Sequence, residues 1–100
     1  MFSAAHAASP IAKVSVSAAG NVALNGTPTD LQALDTALAK LSAEHGSVWY
    51  YREAAEAEPP SQAMEVMQLV VKYRLPISMS TKPDFSDTVD ANGNSVPRKP

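Results

Sequence analysis

Three carboxylates near the middle of the chain have the spacing that best suits acid-base chemistry: Glu53, Glu56 and Glu58. Two carboxylates that lie close together repel each other, which raises the pKa of one and leaves an acid beside a base. The surrounding segment is rich in Ala and Pro and offers no recognisable partner for such a pair. We therefore interpret these three side chains as solvated, and we expect no catalytic residue here.

The histidines and the strand serines are weak candidates for a metal site or a nucleophile. His6 and His45 are the only histidines and the chain has no cysteine, whereas a metal site needs more ligands at suitable spacing. We expect no metal and no cofactor. Four serines lack the nearby His and Asp that would activate them, and we interpret them as outward strand positions. They are Ser15, Ser17, Ser78 and Ser80.

Length and composition exclude several classes of protein. The chain has 100 residues, 45% of them hydrophobic, which suits one domain with a modest core. A formal net charge of −2, with eight Lys plus Arg residues spread along the chain, argues against a nucleic-acid partner. Charged and polar side chains interrupt the longest apolar stretch, 64–75, so it does not suit a membrane helix. These features favour a small single domain and exclude a large enzyme with several sites. Because no cluster of nucleophile, base and oxyanion donors stands out in the sequence, we expect the chain not to be an enzyme.

Alternation near the start of the chain predicts a β-hairpin. In residues 12–18 small apolar side chains alternate with Lys and Ser, which is the period-two pattern of a strand with one buried face. A Gly-Asn turn at 20–21 leads into a short return strand over 22–24. Asn25-Gly26 closes this strand with residues that tolerate positive φ.

A capped amphipathic helix is predicted after the hairpin. Thr29 is the expected N-cap, with Gln32 completing a capping box. We expect the helix to end at His45, with Gly46 entering the left-handed region. Four leucines share one stripe that must pack on a sheet. They are Leu31, Leu34, Leu38 and Leu41.

Three further elements are predicted in the second half of the chain. Residues 47–54 are rich in β-formers and carry large side chains on both faces, which predicts a central strand. We interpret Trp49 in this strand as a core residue. A second helix is predicted over 63–74, after the prolines that break the strand, and a last strand over 77–81.

Taken in order, these elements predict an α+β fold. It is a two-layer sandwich of β-hairpin, helix, strand, helix and strand, in which right-handed crossovers place both helices on one face of a small mixed sheet. We expect residues 1–11 to be a flexible leader and residues 12–83 to form the domain. Residues 84–100, rich in Asp, Asn, Ser, Gly and Pro, are predicted to be a mostly disordered polar tail.

The same order of elements resembles a known family. The string VSVSAAGNVALNG, a Leu-rich helix, a strand ending in Arg52-Glu53, a helix over 63–74 and the strand ISMSTKP look like the periplasmic domain of the ExbD/TolR family. The match covers about residues 12–83, with Leu24-Asn25-Gly26 at the position of the family's Leu-Asn-Gly. The loop 54–61 departs from the family, which usually has an Asp and a short polar loop there.

The resemblance implies a module of a proton-driven transport stator in the periplasm. Such a module has no catalytic residue, forms a homodimer, and works with a pore-forming partner and a periplasm-spanning protein. The family's membrane helix, with its proton-handling aspartate, is not in this sequence. We therefore expect no membrane contact from this segment itself, with any tether lying upstream in a longer protein.

An open sheet edge is the predicted partner-binding feature. The outermost strand of a sheet has free backbone N–H and C=O groups with which an added strand can pair. If the strand 12–18 or the strand 77–81 is outermost, a partner peptide or a second copy can bind there; peptidoglycan is the other expected partner. The predicted partner-binding residues are Val14, Ser15, Val16, Ser17, Ile77, Ser78, Met79 and Ser80.

Two other classes of function fit a fold of this kind. One is a standalone immunity or inhibitor protein, or a small regulatory binding protein. The other is a small hydrolase, but the sequence lacks the anion-cradling loop with a nearby Arg that such chemistry requires. The interaction module is the preferred interpretation.

Overall fold

Two α-helices and seven β-strands make up the computed structural model, which describes residues 10–53 and 60–98. The chain therefore has an α+β fold, as predicted. Neither described helix is long and apolar enough to cross a membrane. In chain order the elements are β1 (Ile11–Val16), β2 (Val22–Leu24), β3 (Thr27–Thr29), α1 (Leu31–Ala43), β4 (Ser47–Arg52), α2 (Ser61–Lys72), β5 (Ile77–Ser80), β6 (Asp87–Val89) and β7 (Ser95–Pro97).

Five of the strands form a mixed sheet in the order β3-β2-β1-β4-β5. The predicted hairpin is confirmed, since β1 pairs antiparallel with β2, and β2 pairs antiparallel with the additional strand β3. β1 and β5 both pair parallel with β4, which confirms its central position. The remaining strands, β6 and β7, form a separate antiparallel pair.

The hydrophobic core lies on one face of this sheet. Along β1 and β4, Val14, Val16, Val48 and Tyr50 are buried on the side called here the core face, while Ser15, Trp49 and Tyr51 alternate onto the outer face. Both helices contribute to the same cluster: Leu34, Leu38 and Leu41 from α1, and Ala63, Val66 and Val70 from α2. A shared cluster is what the predicted two-layer arrangement requires. The finer layering stays a prediction.

The N-cap of α1 lies one residue after the predicted one, and the helix ends at Ala43, two residues before the predicted end. The N-cap is Asp30, whose carboxylate accepts the Ala33 N–H at 2.7 Å. Thr29 was the wrong choice because it ends β3, where it pairs with Val22. At the other end His45, not Gly46, adopts the left-handed conformation, with φ 58°.

Gly46 is required for space rather than for a left-handed conformation. A Cβ at this position would lie 2.6 Å from the Pro10 carbonyl oxygen and would overlap the side chain of Leu41. The residue is buried where the chain leaves α1 and enters β4. A close approach of two backbones is the second common reason for glycine at an element boundary.

The prediction of a mostly disordered tail is wrong for residues 84–98. These residues include the hairpin of β6 and β7, and Asp87 is buried, with 2% of its surface exposed. Gly93, with φ 83°, forms part of the turn between the two strands. Hydrophobic content failed as a guide because polar contacts hold this hairpin in place. Of the predicted leader, residues 1–9 lie outside the described residues, and Ile11 already begins β1.

Candidate functional site

The two edges of the five-stranded sheet are β3 and β5. Of the predicted partner-binding residues, Ile77, Ser78, Met79 and Ser80 form β5 and do lie at an edge. Their role in binding a partner stays a prediction. β3 was not anticipated, because its sequence, Thr-Pro-Thr, contains none of the alternating apolar residues that mark a strand.

The other predicted binding strand is not at an edge. β1 pairs with β2 on one side and with β4 on the other, so its backbone is not open to an added strand. Val14 and Val16 are fully buried, and Ser15 faces the outer side of the interior strand. Ser17 follows β1, where its N–H donates to Asn21 O and its hydroxyl accepts the Asn21 N–H. The prediction that these four residues offer a sheet edge is therefore wrong.

The direction of the β5 backbone groups follows from its pairing with β4. Val48 donates its N–H to Pro76 O at 2.9 Å, so this carbonyl points toward β4. Along a strand successive residues direct their backbone groups to opposite sides. The N–H and C=O of Ile77 and Met79 therefore point away from the sheet, as does the N–H of Thr81. Within the described part of the chain, no backbone group bonds to those of Ile77 and Met79.

On the core side, the edge is flanked by exposed apolar side chains. The exposed fractions are 39% for Ile77, 41% for Met79 and 56% for Met64 on α2. An open cavity of about 340 Å³ lies between α2 and the sheet, and Met64, Met67, Met79 and Tyr50 are among its lining residues. Open backbone groups beside an apolar cavity are the two elements by which a sheet edge recognises an extended peptide.

On the outer side, the β6-β7 hairpin packs against β5 through hydroxyl groups. Ser78 Oγ and Thr88 Oγ1 share a hydrogen bond of 2.6 Å. Ser80 Oγ donates to the Asp87 carbonyl oxygen at 2.8 Å, and Ser80 is buried. The strand serines predicted to face outward therefore do so on β5, but they face the hairpin rather than solvent.

Arg98 fastens the hairpin to the outer face. Its guanidinium donates to Ser78 Oγ at 3.0 Å, to Ser80 Oγ at 2.6 Å and to the Asp87 carbonyl oxygen at 2.9 Å, while its Nε donates to Phe85 O. The same group lies 3.8 Å above the centroid of the Trp49 ring, a cation–π contact. This fork of donors with a flat face is specific to arginine.

The interpretation of Trp49 as a core residue is wrong. It is half-buried on the outer face, where Arg98 stacks on its ring and the Lys13 ammonium lies 5.5 Å from the ring centroid. The reason is the alternation of β4, in which Val48 and Tyr50 already occupy the core face. Trp49 instead provides the apolar surface on which the C-terminal hairpin is fastened.

Asp87 is the most strongly held carboxylate in the described residues. It accepts the Thr81 N–H at 3.0 and 3.2 Å, the Thr81 hydroxyl at 2.6 Å and the Ser95 hydroxyl at 2.6 Å. These bonds favour the ionised form, and the pKa of Asp87 falls from its ordinary value of 3.8 to about 2, with Ser95 as the largest cause. The carboxylate is therefore charged at any physiological pH.

The remaining candidates do not assemble into a site. Glu53 accepts the Ala18 N–H at 2.8 Å, whereas Glu56, Glu58 and His6 lie outside the described residues. His45 is exposed at the end of α1. Among the residues that the structure describes, no group of three or more acidic, His or Cys side chains could hold a metal ion.

The sequence analysis did not identify three residues that interact at the β5 edge: Thr81, Asp87 and Arg98. A signal was present in the sequence, because Asn92-Gly93 is a strong turn dipeptide and the β-formers Thr88, Val89 and Val96 lie on either side of it.

Compared with models of known protein families and with the sequences of curated proteins, the chain matches none.

Proposed function

We propose that this chain is a non-enzymatic protein-interaction module that resembles the periplasmic domain of an ExbD/TolR-type transport stator. It works in the periplasm, binds an extended peptide of a partner protein or the cell wall, and forms a homodimer. The β5 edge is the surface that performs this binding.

The observation that supports the proposal is the pair of open backbone positions on β5. Ile77 and Met79 each direct an N–H and a C=O away from the sheet, next to exposed apolar side chains. An added strand would satisfy these groups and would cover part of the apolar surface at the same time. Backbone pairing then supplies affinity, and the adjoining cavity supplies a preference for side chains.

The two flanks of the edge indicate which strand it would accept. A strand laid along β5 turns alternate side chains toward the methionine-lined cavity and the others toward the polar hairpin. The preferred partner strand therefore alternates apolar and small polar residues. β5 itself has this pattern, Ile-Ser-Met-Ser, so a second copy of the chain is a suitable partner.

Two substitutions at one position test the role of the backbone. Met79→Pro removes an outward N–H without breaking the bond pattern to β4, and proline is tolerated on an edge strand with its nitrogen facing outward. Met79→Ala keeps the N–H and removes only the side chain. We expect self-association, measured by sedimentation velocity over a concentration series, to weaken at least tenfold in Met79→Pro and only slightly in Met79→Ala.

The comparison is valid when circular dichroism spectra show that both variants are folded. Equal weakening in the two variants would mean that the side chain alone carries association, and the edge mechanism would be wrong. Chemical-shift mapping of the wild type with peptidoglycan fragments, and with a peptide that carries the β5 sequence, identifies the partner class. If the wild type neither self-associates nor responds to any of these probes, the binding proposal fails.

A further inference from the structure

Three outward N–H groups lie along the β5 edge, and the hairpin occupies one of them. Alternation directs the N–H groups of Ile77, Met79 and Thr81 away from β4. Both carboxylate oxygens of Asp87 accept the third group, at 3.0 and 3.2 Å. An incoming strand can therefore pair with Ile77 and Met79, whereas the Asp87 side chain blocks the N–H of Thr81.

The position of this carboxylate is fixed from several directions. The Thr81 and Ser95 hydroxyls each donate to it at 2.6 Å. Its own backbone carbonyl accepts hydrogen bonds from Ser80 Oγ and from Arg98. Because Arg98 also contacts Ser78 and Trp49, the backbone of Asp87 is tied through Arg98 to both β5 and β4. A carboxylate held in this way is charged and already aligned with the N–H that it covers.

We propose that Asp87 is an edge cap, a built-in competitor for the partner strand. This inference rests on strand addition at β5 as proposed above. The carboxylate ends the open edge after Met79, so that the β5 strand of a second copy of this chain pairs over Ile77–Met79 and extends past Met79 only by displacing the hairpin. The C-terminal hairpin thereby limits the affinity and length of the added strand.

Two carboxylates of the same hairpin provide a test and its matched control. Asp87→Ala removes the cap, and Thr81 becomes available whether the hairpin stays folded or opens. Asp90→Ala removes a carboxylate that accepts the backbone N–H groups of Asn92 and Asn94 in the turn. The Asp90 carboxylate makes no hydrogen bond to β5 in the described part of the chain, so its loss leaves the cap in place.

The first readout is hydrogen exchange of the Thr81 amide, followed by NMR in the full chain. We expect this amide to lose protection in Asp87→Ala and to keep it in Asp90→Ala. The second readout is titration with an acetylated peptide of sequence LPISMSTK, which copies residues 75–82. One additional net hydrogen bond predicts about fivefold tighter binding to Asp87→Ala than to the wild type.

The outcomes separate the cap from the strand-addition proposal. Unchanged Thr81 exchange in Asp87→Ala overturns the cap. Equal peptide affinity for wild type and Asp87→Ala, with both binding, also overturns the cap but leaves strand addition intact. If Thr81 is released and the peptide binds neither protein, strand addition at β5 fails and the cap fails with it.

Discussion

Replacement of Arg98 by alanine should release the C-terminal hairpin without unfolding the domain. The substitution removes four hydrogen bonds, to Phe85, Ser78, Ser80 and the Asp87 carbonyl, together with the stack on Trp49. None of the buried hydrophobic residues of the core lies in 84–98, so the core keeps its packing. Stability should therefore fall in the hairpin alone.

The size of the effect follows from these contacts. Hydrogen bonds to a charged group contribute about 1.5–3 kcal/mol each and a cation–π contact about 0.5–2 kcal/mol, but neighbouring contacts of one group are far from additive. A loss of about 2–4 kcal/mol in the closing free energy of the hairpin is a reasonable total. This corresponds to about 30- to 700-fold faster hydrogen exchange of the hairpin amides, up to the limit set by the exchange rate of an unprotected amide.

Native-state hydrogen exchange measures this directly. The Asp90 amide, which donates to Asn94 O, reports on the hairpin, and the Val48 amide, which donates to Pro76 O, reports on the sheet. Arg98→Lys keeps the charge but not the planar fork, so its effect should be intermediate. If Asp90 protection is unchanged in Arg98→Ala, the fastening role is wrong. If the Val48 amide loses as much protection as the Asp90 amide, the hairpin and the domain unfold together, and the prediction that only the hairpin is destabilised is wrong.

Acid should open the same hairpin. The folded pKa of Asp87, about 2, lies below its ordinary 3.8, so the ionised carboxylate stabilises the hairpin above pH 3.8, and this contribution is lost as pH falls through about 2. The NMR signal of the Trp49 indole should follow that transition, and an identical titration in Asp87→Ala would contradict the assignment. Gly46→Ala should lower the free energy of unfolding by about 1–3 kcal/mol through overpacking against Pro10 and Leu41. The free energy of unfolding from urea denaturation measures this cost, and an unchanged value in Gly46→Ala would refute the spatial requirement.

The elements with strong hydrophobic periodicity were predictable from sequence. The leucines of α1 and the alternating residues of β1 identified one helix and one strand, and their buried members do meet in the core. The N-cap was missed by one residue because β2 pairs with Thr29, a contact that no local pattern reports. Element type is a local property, whereas exact boundaries depend on tertiary contacts.

Strand order was the harder problem for the candidate site. A strand has two sides, and β1 uses one for its hairpin with β2 and the other for the crossover strand β4. The sequence showed both connections, but periodicity alone does not say on which side of the hairpin the crossover strand lies. In the structure β4 lies beside β1, which makes β1, with Val14 and Val16, an interior strand and leaves β5 as an edge strand.

The C-terminal hairpin was missed for a different physical reason. Its strands are three residues long, and Asp87 and Arg98 attach it to Thr81, Ser78 and Ser80 through hydrogen bonds instead of an apolar stripe. Such a network depends on the exact three-dimensional placement of each donor and acceptor, which composition does not encode. Low hydrophobic content identifies a disordered chain, so a polar but ordered segment of this kind is predicted to be disordered as well.

A hairpin held by polar contacts is suited to reversible release from the edge. An apolar attachment would leave a hydrophobic surface exposed on opening, at about 25 cal/mol per Å². The groups that hold this hairpin, Ser78, Ser80, Asp87 and Arg98, can instead exchange their hydrogen bonds with water. Opening then costs the net value of those bonds together with two ring contacts, Arg98 on Trp49 and Phe85 against Tyr51. Because Asp87 covers the N–H of Thr81 without occupying the positions of Ile77 and Met79, a short strand can bind first and a longer one can compete for the capped group afterwards.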